Sequence, residues 1–508
     1  MHQVTVYWRI FLSFILCAAS PCLAAEREFT VLAYNVENLF DLDGIAIYKD
    51  YIQDEPDDQF TYGRRKLLTK LQNIAAVLKT FNRGLGPELI LFQELEADFT
   101  PQSSVEDLSI FLDQHHAISV AQMLTTDWRS EYAGLPAQAW LLKALSDAGL
   151  VGYSVAVAPS KGSDAAIAHT NAVFSRFRIQ EVQSHELLQA RDILEVTLNV
   201  AAHPLTVYVN HWKSGASSPS REPIRVQNAE VLRALIDARL AADPMADIII
   251  GGDLNSHYNH SILYPELETG INDVLGSQGN ELAIRELGGV DLYNLWFELP
   301  SEQRYSEVWR GRRGSLMHLL VTRGLYDQSG VSYVDGSFTP VILPGLNADL
   351  LSRPLEWTFA GETGGGATDH FPVAARFTVG SGRAGDFVDL ENPSVGDDAL
   401  DFELPLVYQT GMQLPLRDAV DLAQLSDAAL GPFVGRLYRV EARVLKVRPM
   451  TLEVAGQQWA AYAPDKSVYA QLHQIKGAKS PTAMVVTLGI WKGKRQFLVE
   501  GLESLVER

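Results

Sequence analysis

The run Ala367-Thr368-Asp369-His370-Phe371-Pro372 sets a carboxylate and an imidazole side by side at the start of an apolar stretch, 371–378, that reads as a strand. Four upstream signatures share that placement: Tyr34-Asn35-Val36-Glu37-Asn38, Phe92-Gln93-Glu94, Asn210-His211-Trp212-Lys213-Ser214 and Gly252-Asp253-Leu254-Asn255. Each lies at or just after the end of an apolar run with strand character, around 29–36, 88–93, 205–210 and 247–252. The last of these, Asp-Ile-Ile-Ile-Gly-Gly, is a continuous β-branched run bounded by glycine, which predicts a buried central strand. Further strands are expected at 152–158, 171–175, 193–200 and 316–322. Helical spacing is expected at 64–80 and 224–241, with 101–149 as loops and helices. Strands alternating with helices predict an α/β or layered α+β domain.

Asn35 and Glu37 are two apart, as are Asp253 and Asn255, so an extended backbone would turn each pair to one face. A carboxylate that close to a central strand needs a partner or a metal, because an unpaired buried charge is costly. Glu37, Glu94, Asp253 and Asp369 offer hard oxygen ligands, which suit Mg2+ or Mn2+, and no His/Cys spacing suggests zinc. Phosphodiester hydrolysis needs a metal to neutralise developing charge and a base for the attacking water. His370 and His211 are the candidates for base and phosphate contact. Since Asp369 and His370 are adjacent, their side chains are expected to diverge.

At this point the sequence resembles the endonuclease/exonuclease/phosphatase superfamily, with its deoxyribonuclease-like fold, over roughly residues 28–378. The opening Tyr34-Asn-Val-Glu-Asn-Leu-Phe-Asp41 is similar to an exported bacterial branch, and Asn171-Ala-Val-Phe-Ser-Arg176 and Arg191 add to the match. The resemblance implies a four-layer sandwich, two packed β-sheets flanked by helices. It implies metal-site roles for Asn35, Glu37, Glu94 and Asp369, and catalytic roles for His370, His211, Asp253 and Asn255. Asn210, Lys213 and Arg191 would bind substrate. The departure is Met317, in Leu316-Met317-His318-Leu319-Leu320, where the family carries an Asp that orients the catalytic histidine. Methionine cannot supply that hydrogen bond, so weak hydrolysis and a modest gain from Met317→Asp are expected. Asp291 or Glu307 is a candidate substitute in space.

The chain has 508 residues and a net charge of −20. Such a surface repels polyanions at long range, whereas non-specific nucleic-acid binders are usually basic. Either the substrate is small, or a metal and a local patch overcome the repulsion. Residues 1–24 read as a signal peptide: Arg9, an apolar stretch Ile10–Ala19, then Cys22-Leu23-Ala24. Both cysteines, Cys17 and Cys22, fall inside it, so an exported, periplasmic or secreted bacterial chain without disulfides is expected.

Residues 379–403 read as a linker, and 404–508 as a small all-β, OB-like barrel. Its strands are expected at 435–447, 450–455, 458–463, 483–491 and 496–501, with a helix at 466–474. From 432 onward it holds 12 Lys+Arg against 6 Asp+Glu. Lys492, Lys494 and Arg495 with Trp491 and Phe497 would suit single-stranded nucleic acid. The combined reading is an exported, divalent-metal-dependent phosphodiesterase, a nuclease first. A phosphatase or phospholipid-headgroup esterase on the same fold is one alternative; a non-catalytic phosphate- or nucleic-acid-binding protein with a decayed site is another.

Overall fold

The strand Arg27–Leu39 has two buried faces, and they belong to different layers. Leu32, Tyr34 and Val36 meet the helices Arg64–Leu78 and Ala137–Asp147 in one core, while Phe29, Val31 and Ala33 meet a second sheet in another. The computed structural model describes residues 27–44, 61–98, 105, 107–159, 168–279, 283–284, 292–327, 329–379 and 406–503. The expected signal segment, nearly all of the expected linker and Asp291 lie outside the described residues.

Two sheets pack face to face. The first runs Val331–Tyr333, Val373–Val379, Arg27–Leu39, Leu89–Glu96, His169–Ser175 and Ser154–Val157, with Thr339–Pro340 beside Val373–Val379. The second runs Arg178–His185, Ile193–Val200, His203–His211, Ile248–Asp253, Met317–Thr322 and Leu292–Asn294. The helix Glu222–Ala242 covers the outer face of the second sheet through Leu232 and Ile236, against Tyr208, Ile248 and Ile250. The order helix, sheet, sheet, helix is the expected four-layer sandwich. The strand Arg178–His185 escaped the sequence reading because it is a largely exposed edge without apolar alternation.

The C-terminal unit is a closed five-stranded barrel. Its strands Leu437–Val447, Met450–Val454, Gln457–Tyr462, Lys494–Leu502 and Thr482–Trp491 pair in that order, and the last pairs back to the first. The helix Lys466–Gln474 lies between the third and fourth strands of the chain, as the OB-like reading expects. Alternate residues Tyr438, Val440, Ala442 and Val444 fill the barrel. Two expected contributors to a nucleic-acid face are corrected. Phe497 is buried and stacks on Trp459 at 4.3 Å because it faces the barrel interior. Arg495 is spent on Asp427 and on the carbonyls of Leu422 and Leu425. Trp491, with Lys492 Nζ 4.6 Å from its ring centroid, remains exposed.

The barrel leans on the sandwich. Arg353 donates to Asp349 within the sandwich (2.7 Å) and to Glu500 of the barrel (3.2 Å). Glu362 N donates to the Ala428 carbonyl at 3.0 Å, and Ala360 packs into the barrel core. The loop between Arg353 and His370 is therefore held on one side by the barrel. No helix among the described residues is long and apolar enough to cross a membrane.

Candidate active site

The inter-sheet faces of the central strands end in polar residues at the same edge of the sandwich. Phe29, Val31 and Ala33 lead to Asn35; Val207 and Val209 lead to His211; Ile249 leads to Asp253. Asn35 Nδ2 donates to Glu94 Oε1 at 3.1 Å and to Asp253 Oδ2 at 3.2 Å, joining the sheets at this end. The backbone then leaves regular strand geometry. Glu37, Asn38, Glu94 and Asn255 all have positive φ, at 48°, 59°, 64° and 47°. Non-glycine residues in that region carry local strain that neighbouring contacts must hold. The pairing of Arg27–Leu39 with Leu89–Glu96 slips between Asn35 and Leu39, which re-aims Glu37 and Glu94. Glu37 and Asn255 thus reach the site through bends, not through the expected pleat.

A cavity of about 710 Å³ opens over this edge. Its lining includes Glu37, Glu94, Arg191, His211, Asp253, Asn255, Asp369 and His370, all expected from the sequence. Three expected residues are used differently. Asn35 lies beneath the floor, its Oδ1 accepting from Glu37 N at 2.9 Å, so it ties carboxylates together. Asn210 does not line the cavity: it donates to the Tyr208 carbonyl and accepts from Trp212 Nε1, both at 3.1 Å. That makes it a brace for Trp212. Lys213 also stays out of the lining.

His370 is the most connected group. Its Nδ1 lies 2.7 Å from Asp369 Oδ1, so the two neighbouring side chains converge where divergence was expected. Its Nε2 has no hydrogen-bond partner among the described residues, and it lies 3.6 Å from Asp253 and 4.0 Å from Glu307. Burial alone would lower the His370 pKa, but Asp369, Asp253 and Glu307 together raise it well above the ordinary value. The carboxylates around His370 thus favour its protonated form. His211 is the opposite case. Burial, then Arg191 and neighbouring imidazoles, hold it well below its ordinary pKa, so it is neutral. Its Nε2 lies 3.7 Å from both Glu94 and Asp253. Arg191 donates to His169 Nδ1 at 2.9 Å.

Glu307, one of the two candidate substitutes for an Asp at position 317, comes near His370 but not to its Nδ1: its Oε2 lies 4.0 Å from Nε2, while Asp369 holds Nδ1. Glu307 sits on a hairpin, Glu307–Trp309 paired with Arg312–Gly314, whose first residue bridges to His370. A Cβ on Gly314 would fall 2.3 Å from Glu307 Oε1, so the glycine leaves the space the carboxylate occupies. Burial, opposed by His370 and reinforced by Asp253 and Asp369, brings Glu307 to a pKa of about 7. Met317 itself is fully buried between the sheets. Lys70 is a group that the sequence reading missed. It is buried, with Nζ 4.6 Å from the Trp357 ring centroid and no hydrogen-bond partner among the described residues. Burial lowers its pKa to about 8, against the pull of Glu37, Asp369 and Glu94. Its only sequence signal was a cation on the buried stripe of a helix.

The donor set fits a divalent cation. Burial, and then Asp369, raise the carboxyls of both Glu37 and Glu94, and this mutual cost is what a hard cation removes. The ligand spacing differs from expectation. Among the described residues, three ligand atoms come within 4.8 Å of one another only at Asp41, Asp43 and Glu96. Glu37, Glu94 and Asp369 stand further apart because each has its own partner: Trp357 N, Asn38 N and His370 respectively.

Acids, two imidazoles with opposite pKa shifts and an arginine thus surround one cleft at the end of the two-sheet sandwich. Residues 149–378 match the sequence model of the Endonuclease/Exonuclease/phosphatase family. Its members are generally hydrolases of phosphoesters that use divalent metal ions. No curated protein matches the chain. Among solved structures, truncated Caenorhabditis elegans TDP2 aligns at TM-score 0.36 and 13% identity, covering 69% of this chain and 97% of that one. The human Nocturnin catalytic domain aligns at TM-score 0.35 and 12% identity, covering 70% and 95%. A family protein from Bacteroides thetaiotaomicron aligns at TM-score 0.35 and 12% identity, covering 70% and 99%.

Proposed function

We propose that the protein is an exported, metal-dependent phosphodiesterase that attacks its substrate with water in the cavity above Asn35, Glu94 and Asp253. The observation that carries this is the placing of two buried histidines on either side of Asp253, at 3.7 Å for His211 and 3.6 Å for His370, over one acidic floor. Cationic His370, held by Asp369 at Nδ1, turns Nε2 toward the cavity. Neutral His211 stands on the other side of Asp253.

In this reading Glu37, Glu94 and Asp369 would hold Mg2+ or Mn2+, and the ion would supply positive charge to offset that of the phosphoryl group. Asp253 and Asn255 orient the attacking water, and its proton passes to a cavity carboxylate. The new P–O bond forms as the ester P–O bond breaks. His370 Nε2–H faces the developing negative charge, where a fixed cation in a poorly solvated cleft is most effective. The lack of Asp at position 317 need not disarm His370, since Asp369 Oδ1 accepts a hydrogen bond from its Nδ1–H. That favours the catalytic reading over a decayed site.

The test is turnover of a bis-aryl phosphodiester and an aryl phosphomonoester by the parent, Glu94→Gln and His370→Ala, with Mg2+, Mn2+ or chelator. The expected result is metal-dependent diester cleavage that falls by about 10²-fold or more in both variants. Turnover of neither ester, or turnover indifferent to chelator and to both changes, would sink the proposal. Export rests on residues 1–24, and N-terminal sequencing of the chain recovered outside the cytoplasm should begin near Ala25; recovery only from the cytoplasm, with Met1 intact, refutes it.

A further inference from the structure

The hairpin that delivers Glu307 to His370 also carries an aromatic side chain with no place in the core. Trp309 is 58% exposed yet lines the active cavity. Its turn is tight: Arg310 and Gly311 have φ of 52° and 76°, the pattern of a two-residue primed turn. In the register Glu307↔Gly314 and Trp309↔Arg312, alternation puts Glu307, Trp309 and Arg312 on one face. All three line the cavity. The other face is anchored, with Val308 packed beside Leu406 against Tyr305 and Phe371, and the Gly311 carbonyl accepting from Leu406 N at 2.8 Å. The indole is therefore presented on a fixed arm, beside the residue that faces His370.

Two features narrow what the arm meets. Arg312 and Arg313 both line the cavity, on a chain whose net charge is −20 and whose reaction centre is acidic. Arginines beside an exposed indole form a surface for planar rings and phosphates, since guanidinium binds phosphate in a fork and indole stacks on any base. The catalytic groups lie deep, with His211 and Asp253 each only 2% exposed. A scissile phosphate must descend to them, which an unpaired strand does more readily than a stacked duplex.

We infer that the 307–314 hairpin is the substrate-selecting arm, with Trp309 stacking on an unpaired base beside the scissile phosphodiester and Arg312 holding a neighbouring phosphate of a single-stranded nucleic acid. This rests on the phosphodiesterase reading above and adds the substrate class to it. A lipid diester offers the same phosphate but no ring for the indole.

The experiment compares kcat/KM for a single-stranded decathymidylate, a duplex of the same length and a glycerophosphoryl diester without a base, using the parent, Trp309→Ala, Trp309→Phe and Arg312→Gln. The parent should prefer the single strand. Its preference over the base-free diester should fall about 10-fold or more in Trp309→Ala, the loss expected for one base stack, through KM. Trp309→Phe should keep most of it, and Arg312→Gln should flatten the salt dependence. Equal preference in parent and Trp309→Ala overturns the inference while leaving the phosphodiesterase reading intact, and so does a parent that favours the base-free diester or the duplex. If the parent cleaves nothing, the phosphodiesterase reading fails, and the arm is judged by decathymidylate quenching of tryptophan fluorescence. Quenching lost in Trp309→Phe supports the arm, and quenching absent from the parent or unaltered in Trp309→Phe refutes it.

Discussion

Met317 stands directly opposite Asp253 in the antiparallel pairing of Met317–Thr322 with Ile248–Asp253. Paired residues share a face, so both point between the sheets, and Met317 closes the apolar core just beneath the acidic floor. An Asp here would set a second buried carboxylate against Asp253, whose own pKa burial already raises. From this placement Met317→Asp should destabilise by on the order of 3 kcal/mol, the cost of an uncompensated buried charge, and should not give the gain in turnover expected from the sequence. Met317→Leu, which keeps the volume, should cost less than about 1.5 kcal/mol. Urea unfolding with parallel kcat/KM measurements checks both, and a stable, faster Met317→Asp would restore the sequence-based view.

Glu307 gives a second prediction. With a pKa of about 7, its carboxylate fraction grows through neutrality. If it takes the proton of the attacking water, activity should rise with pH through about 7, and Glu307→Gln should lose that limb along with about 10²-fold in rate. Gly314→Ala should mimic the loss without removing any charge, because its Cβ would fall 2.3 Å from Glu307 Oε1. An unchanged pH profile in both variants would exclude Glu307 from the proton path.

Metal affinity tests the carboxylate shell. Glu94→Gln removes one charge from the set that faces Asp369, so calorimetry should show weaker Mn2+ binding, by about 10-fold or more. Gln has one acceptor oxygen and can keep only one of the two donors to Glu94, Asn35 Nδ2 on Oε1 or Asn38 N on Oε2, so a modest loss of stability should accompany the change. Equal affinity in parent and variant would move the metal elsewhere, the Asp41, Asp43 and Glu96 cluster being the first place to look.

Much of this site could be read from the sequence because its residues end apolar runs. The central strand 247–252, the motif around Asn35 and the Asp369-His370 pair announce themselves by hydrophobic patterning and short-range spacing. Other groups did not, for physical reasons. Glu307 and Trp309 sit on a three-residue strand with no apolar period, and only tertiary placement beside His370 gives them meaning. Lys70 looks like any helical lysine until helix packing buries it over Trp357. Asn210 illustrates the reverse error, a polar residue inside a motif whose side chain turns to brace Trp212. The charge states of His370 and His211 depend on which acids surround each ring, and spacing does not encode that.

The last prediction concerns stability. Glu222, at the start of the helix that covers the second sheet, is buried and accepts from Arg225 Nε at 2.7 Å and from Gly270 N at 2.9 Å, with His260 Nε2 at 3.1 Å. Burial would raise its pKa, but His260, Arg225 and the Gly270 amide outweigh that and hold it at about 2. The folded value is below the unfolded one, near 4.5. The carboxylate's contribution is therefore fully present above about pH 4.5 and is lost as pH falls toward 2. Glu222→Gln should cost about 3 kcal/mol at pH 7, leaving Arg225 buried without its ion partner. The gap between parent and variant should close as pH falls through that window. Denaturant unfolding of both proteins at pH 7, 5 and 3.5 measures it, and a gap that stayed constant with pH would show that the ionisation of Glu222 is not the source of its stabilisation.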